Sequence, residues 1–271
     1  INFEEEHMPL NSFYSNLTKN RVDVYNSAFL LKDSEKEKFS FLYLALQDLT
    51  SSFYPLIQII EVTLRNSINN KLIEVYKKEY WYEDLYLNEQ TQRHFDIAKE
   101  RANGRTHDHF VCELTFGAWV NLLHKENRGG VDSTTLTTLS SSEIEKIEKI
   151  EKFWGTHLDS IFRGRNGVSI KEIHERLKDI NTYRNRFSHY EPLWKPTGKQ
   201  SFSMSKSPMF QSMSRFDLAC MFLNDKFEKC LAVLKLCCPQ THLHVESQFK
   251  ASFSEKMKFY QGQWNTQSKK K

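Results

Sequence analysis

SIKEIHERLKDINTYRNRFSHYEP, residues 169–192, is the stretch that decides the fold. Ser169 and Glu172 have the S-x-x-E spacing of a capping box, which opens a helix. Ile170, Ile173, Leu177, Ile180, Tyr183 and Phe187 recur at helical intervals and form one apolar stripe. Pro192 stops the helix. The rest of the chain repeats this period, and no segment alternates as a strand would.

Working outward, 36–50 forms an amphipathic helix. Ser51 and Ser52 then offer a cap, and Pro55 suits a first turn. Leu56, Ile60, Leu64, Ile68 and Leu72 make a ladder running to about Lys78. Residues 88–103 form a helix ended by Asn103-Gly104. Residues 109–125 are apolar nearly all round, which predicts a single buried helix. Gly117 inside it predicts a close helix–helix approach. Gly129-Gly130 and 133–142 read as loop. Residues 142–162 carry Glu–Lys pairs and read as a solvated helix face. Residues 195–212, rich in Ser, Lys and Met, read as a mobile loop. Helices follow at 213–236 and 244–260, and the tail QSKKK reads as disordered. The fold class expected is all-α, an antiparallel helical bundle. Its divisions are an extension over 1–35, a helical domain over 36–240, and a C-terminal helix with a basic tail over 241–271.

Composition agrees with this class. Gly (9) and Pro (6) are scarce among 271 residues, which argues against a loop-rich or all-β protein. Twenty Phe and eleven Tyr supply ample core. The net charge of +4 permits an anionic partner without demanding one. No apolar run approaches the roughly 20 residues of a membrane span. The opening INFEEEHMPL lacks a signal-peptide layout and an initiator Met, and reads as a trimmed start. The five Cys have no framework spacing and read as reduced, cytoplasmic thiols. Adjacent Cys237-Cys238, with His242 and His244, is poor geometry for chelation, so no metal and no cofactor are expected.

The candidate chemistry sits at the end of the 169–190 helix. Arg184 and His189 are about 140° apart around the axis and about 7.5 Å along it, with Asn185 between them in angle. Arg186 points further round. A guanidinium binds a phosphate with two parallel hydrogen bonds and stabilises transition-state charge. An imidazole moves protons near neutrality. Asn185 can hold the phosphate or orient the ring. With no metal ligands in this set, the natural nucleophile is the 2′-hydroxyl of RNA itself, a group DNA lacks. Spacing alone leaves a plainer alternative open, a surface Arg and a His favoured by the helix C-terminus.

Arg184-Asn185-x3-His189 resembles the R-x(4–6)-H motif of the HEPN superfamily. RNRFSHYEPLW, residues 184–194, resembles the RNR-x-x-H-x-EP signature of its Abi-like (abortive infection) proteins. FYPLIQIIEVTLRNSI (53–68) and HFVCELTFGAWVNLL (109–123) are similar to two further helices of that family, in the same order. The resemblance covers about half the chain. It implies a HEPN-type bundle and metal-independent endoribonuclease activity. It implies a toxin or phage-defence role with a composite site in a homodimer, and restraint by a small RNA or a protein antitoxin. A non-catalytic RNA-binding module is the alternative. Tyr190 departs from the family, which often has a second His there.

Supporting residues are Glu61, Arg65, Asn66, Arg186 and Glu191. Glu61 and Arg65 have i,i+4 spacing. Glu61 either orients Arg184 or His189 or serves in a structural ion pair. Glu191 reads as helix-terminal, or else as a second orienter. Lys195, Lys199, Lys206 and Arg215, interleaved with Phe202 and Phe210, have the composition of a single-stranded RNA contact or of a flexible loop. His107 and His109 read as capping or surface residues.

Overall fold

The i+4 ladder becomes the spine of the structure. Leu56, Ile60, Leu64, Ile68 and Leu72 are each at most 1% exposed. The computed structural model describes residues 13–14, 16–195 and 213–269, and these contain helices and no strand. The all-α class therefore holds for the described residues. The α-helices are α1 (Lys19–Phe29), α2 (Lys36–Ser51), α3 (Phe53–Tyr76), α4 (Glu89–Ala102), α5 (His107–Glu113), α6 (Phe116–Asn121), α7 (Ser133–Leu136), α8 (Ser141–Ile161), α9 (Ile170–Ser188), α10 (Arg215–Cys237) and α11 (Pro239–Lys269). None is long and apolar enough to cross a membrane. Residues 196–212, which hold Lys199, Lys206, Phe202 and Phe210, lie outside the described residues.

Several boundaries differ from the sequence pattern, each for a local reason. Ser52 does not cap α3. It closes α2 in the right-handed region, and its hydroxyl is buried without a hydrogen-bond partner among the described residues. α3 ends at Tyr76, because Lys77 turns left-handed at φ 57°. The apolar run 109–125 is two short helices. Leu114 is extended at ψ 121°, and Thr115 starts α6 by accepting a 3.2 Å hydrogen bond from the Ala118 amide. The capping box forms at Ser140–Glu143, inside the stretch expected as loop. Ser169 does cap α9, but Glu172 pairs with Arg176 at 2.6 Å instead of returning to close a box. α10 and α11 are separated by Cys238 alone, and α11 runs through Gln267 and Ser268 of the tail expected to be disordered.

The chain divides into two compact units. The first contains Ile1–Tyr54, Tyr190–Glu228 and Ser247–Lys271. Its core is aromatic. Tyr25 lies 5.0 Å from Trp194 between ring centroids and accepts a 3.2 Å hydrogen bond from the indole N–H. Burial pushes the Tyr25 phenol up to about 12. Phe227 stacks on Phe253 at 4.3 Å, and Phe53 meets Phe227 edge-on at 5.3 Å. Asp48 accepts from Lys256 at 2.9 Å and from Tyr260 at 3.1 Å.

The second unit contains Pro55–His189 and Lys229–Glu246. Beside the ladder, Trp81, Tyr82, Phe95, Phe110 and Trp119 form an aromatic cluster. Asn69 ties this cluster to α3. Its side-chain oxygen accepts from Trp81 Nε1 at 2.9 Å and meets His107 Nε2 at 3.1 Å. His107 is therefore a core residue, and burial lowers its pKa. His109 is a surface residue, its Nδ1 lying 2.8 Å from Thr106 Oγ1 without capping the helix. On α9 the buried stripe is Ile173, Leu177, Ile180 and Tyr183, while Ile170 and Phe187 at its ends are only half-buried. Gly164 fits where a β-carbon would lie 2.0 Å from the Lys235 carbonyl oxygen, and its amide donates to the Leu236 carbonyl at 3.0 Å.

Candidate functional site

Arg184 leaves the last full turn of α9 beside the buried Tyr183, which fixes its backbone against the core. Its Nε stands 3.7 Å from Glu61 Oε2 on α3. That separation is an ion pair beyond hydrogen-bond length. The guanidinium side chain is 36% exposed and the carboxylate 26%. Glu61 thus holds the base of the guanidinium fork and leaves donors facing water. Glu61 therefore pairs with Arg184, a contact that serves either an orienting or a structural role.

The i,i+4 pair of Glu61 with Arg65 does not form. Arg65 turns sideways, donating to Asn66 Oδ1 at 3.3 Å and lying 3.9 Å from Cys112 Sγ. Cys112 is exposed. Its place beside Arg65 could not be read from sequence, because it depends on the break after α5. Asn66 is exposed and lies five residues beyond Glu61, about 7.5 Å along the helix.

Asn185 and His189 are both exposed. His189 is the C-cap of α9, with its amide donating to the Asn185 carbonyl at 3.0 Å. The helix stops three residues sooner than Pro192 alone would require, because Tyr190 turns left-handed at φ 54°. Tyr190 is 69% exposed and Glu191 is also exposed. Arg186 is half-buried, with Nη1 enclosed and without a hydrogen-bond partner among the described residues. Lys195 gives its carbonyl oxygen to Lys226 at 2.6 Å, and Arg215 donates to the Ala28 carbonyl at 2.6 Å.

Gly117 explains how α6 approaches α9. A β-carbon there would stand 3.3 Å from Asn181 Nδ2, one turn before Arg184. The close approach expected from the glycine is present, though on a helix of six residues. Earlier on α9, His174 is 6% exposed, with Nε2 buried and without a hydrogen-bond partner among the described residues. Burial, then the nearby Lys178, pushes it down to about 4. It is neutral at pH 7 and packs edge-on against His124 at 5.8 Å.

A polar cleft begins at Asn66. Its first part, about 290 Å³, is lined by Asn66, Ser67 and Lys71 of α3 and by Ser160 and Arg163 at the end of α8. A second part, about 440 Å³, lies between Tyr76 of α3 and Lys149, Lys152, Phe153 and His157 of α8. The Glu–Lys pattern over 142–162 predicts these lysines on a plain solvated face. Their i,i+3 spacing from 149 to 152 was legible, but the helix that faces them was not.

Among the described residues, no three His, Cys, Asp or Glu side chains stand close enough to hold a metal ion. His242 pairs with Glu246 at 3.5 Å, and Cys237 is buried. Comparison with protein-family models, curated proteins and solved structures finds no match to this chain.

Proposed function

We propose that this chain is an endoribonuclease of HEPN type, acting through Arg184, Asn185 and His189 without a metal. The observation that carries this reading is Arg184 held by Glu61 at 3.7 Å, next to an exposed carboxamide and imidazole at the end of the same helix. The resemblance of 184–194 and of the two upstream helices supports it, as does an all-α fold. Arg184 binds the scissile phosphate and stabilises the charge that develops on its oxygens. The 2′-oxygen attacks phosphorus and loses its proton, and the 5′-oxygen leaves and gains one. The products are a 2′,3′-cyclic phosphate and a 5′-hydroxyl.

The two proton transfers occur on opposite sides of phosphorus. Each chain offers one imidazole at this motif, so a homodimer supplies the base from one copy and the acid from the other. Asn185 positions the phosphate. The biological role that follows is an RNA-cleaving toxin in phage defence, restrained by a partner until triggered.

The test is cleavage of single-stranded RNA in the presence of EDTA. Arg184→Ala and His189→Ala are each expected to lower the rate at least about 100-fold. Thermal melting should be unchanged, because both side chains reach solvent. Glu61→Gln is expected to cost less. Undiminished cleavage by folded His189→Ala would overturn the proposal. Salt-dependent RNA binding without turnover in the unaltered protein would replace it with a binding module.

A further inference from the structure

The cleft between α3 and α8 lies outside the motif, and its lining is chemically coherent. The two helices run antiparallel along it. Tyr76 meets Phe153 at 6.3 Å at one end, and Ser67 faces Ser160 and Arg163 at the other. The two parts follow one another directly. Glu74 lines the first, and its carboxyl is held below the usual range by its Lys71 hydrogen bond and further by His157, which lines the second. From Asn66 to Tyr76 the lining helix rises about 15 Å.

The charges are unequal. The lining holds Lys71, Lys149, Lys152 and Arg163 against the carboxylates of Glu74 and Asp84. Lys71 is engaged by Glu74 at 2.6 Å and Lys149 by Glu145 at 2.7 Å. Lys152 and Arg163 are exposed and make no ion pair among the described residues. Between these two cations stand the hydroxyls of Thr156, Ser160 and Ser67 and the amides of Asn66 and Asn70, with Val75 and Phe153 as apolar floor. Tyr76 lines the second part, and its Oη is buried with no hydrogen-bond partner among the described residues.

We infer that this cleft binds the backbone of a single RNA strand, running along α3 toward Asn66. The inference rests on the ribonuclease reading and gives the Arg184 site its substrate class, single-stranded RNA. Lys152 and Arg163, about 16 Å apart along the helix, take phosphates two or three nucleotides apart, and the hydroxyls and amides take sugar and phosphate oxygens.

The experiment uses the full chain carrying His189→Ala, so that bound RNA survives. Binding of a fluorescein-labelled 12-nucleotide single-stranded RNA is followed by anisotropy across a salt series. Adding Lys152→Gln and Arg163→Gln together is expected to weaken binding about tenfold. The slope of log affinity against log salt should shrink by about 1.4, the value for two phosphate contacts on a single strand. Tyr76→Phe should weaken binding severalfold with the slope unchanged. Arg93→Gln with Arg101→Gln on α4 removes the same charge elsewhere and should change affinity less than about twofold.

Equal losses from the two charge pairs would overturn the cleft assignment. So would unaltered binding by the Lys152/Arg163 variant, while cleavage by the native chain left the ribonuclease reading standing. RNA held in the cleft by a native chain that never cleaves would uphold the cleft and remove the nuclease. A native chain that binds no RNA would remove both.

Discussion

The two units differ in how far apart their partners lie in sequence. In the second, most of the core comes from one run, 55–189. Asn69 reaches Trp81 twelve residues on and His107 thirty-eight residues on. In the first, Tyr25 bonds Trp194 across 169 residues and Asp48 bonds Tyr260 across 212. Local periodicity therefore specifies much of one unit and little of the other. It also follows that the candidate site residues from Glu61 to His189 belong to the unit with the more local wiring.

The sharpest way to break this comparison is Gly164→Ala. Its new methyl would fall 2.0 Å from the Lys235 carbonyl, which is backbone and cannot swing aside. We expect a loss of about 3 kcal/mol or more. Hydrogen exchange should rise around 161–168 and 229–246 while amides near Tyr25 and Trp194 keep their protection. A uniform loss of protection would mean that the two units unfold as one.

Acid probes the second unit more gently. His174 has a folded pKa of about 4 against 6.5 in the free group. Between these values the unfolded chain binds more protons, so stability is complete above pH 6.5 and falls as pH drops toward 4. From pH 7 to pH 5 this amounts to about 2 kcal/mol. Urea midpoints at the two pH values measure it, and His174→Phe should abolish most of the difference.

The smallest effect is expected at Gly117→Ala. Asn181 must give by a few tenths of an ångström to admit the methyl. Stability should fall by about 1 kcal/mol or less. RNA cleavage should fall severalfold, since the displaced turn carries Arg184. Unchanged cleavage would show that α6 has no part in placing the guanidinium.

Legibility in the sequence follows the same division. The stripe on α9 and the ladder on α3 were readable because a buried helix face repeats every three to four residues. The end of α9 was readable to within two residues. The break at Leu114–Thr115 was not, because apolar residues on both sides hide a turn whose only mark is one Thr. Arg65 shows the limit of spacing arguments. Its i,i+4 relation to Glu61 allowed a pair, but tertiary packing brought Arg184 to the carboxylate and sent Arg65 toward Cys112. The cleft needed two helices in register, which no single-segment pattern contains.

The stacking of Phe227 on Phe253, with Phe53 against Phe227, has a consequence during synthesis. At about 5–20 residues per second, a ribosome takes about 10–40 s to pass from Phe53 to Phe253. Until Phe227 and then Phe253 are made, Phe53 lacks the rings that complete its cluster, while the ladder and aromatic cluster of the second unit are made in between. The order of manufacture and the order of completion are therefore reversed for the segment around α2.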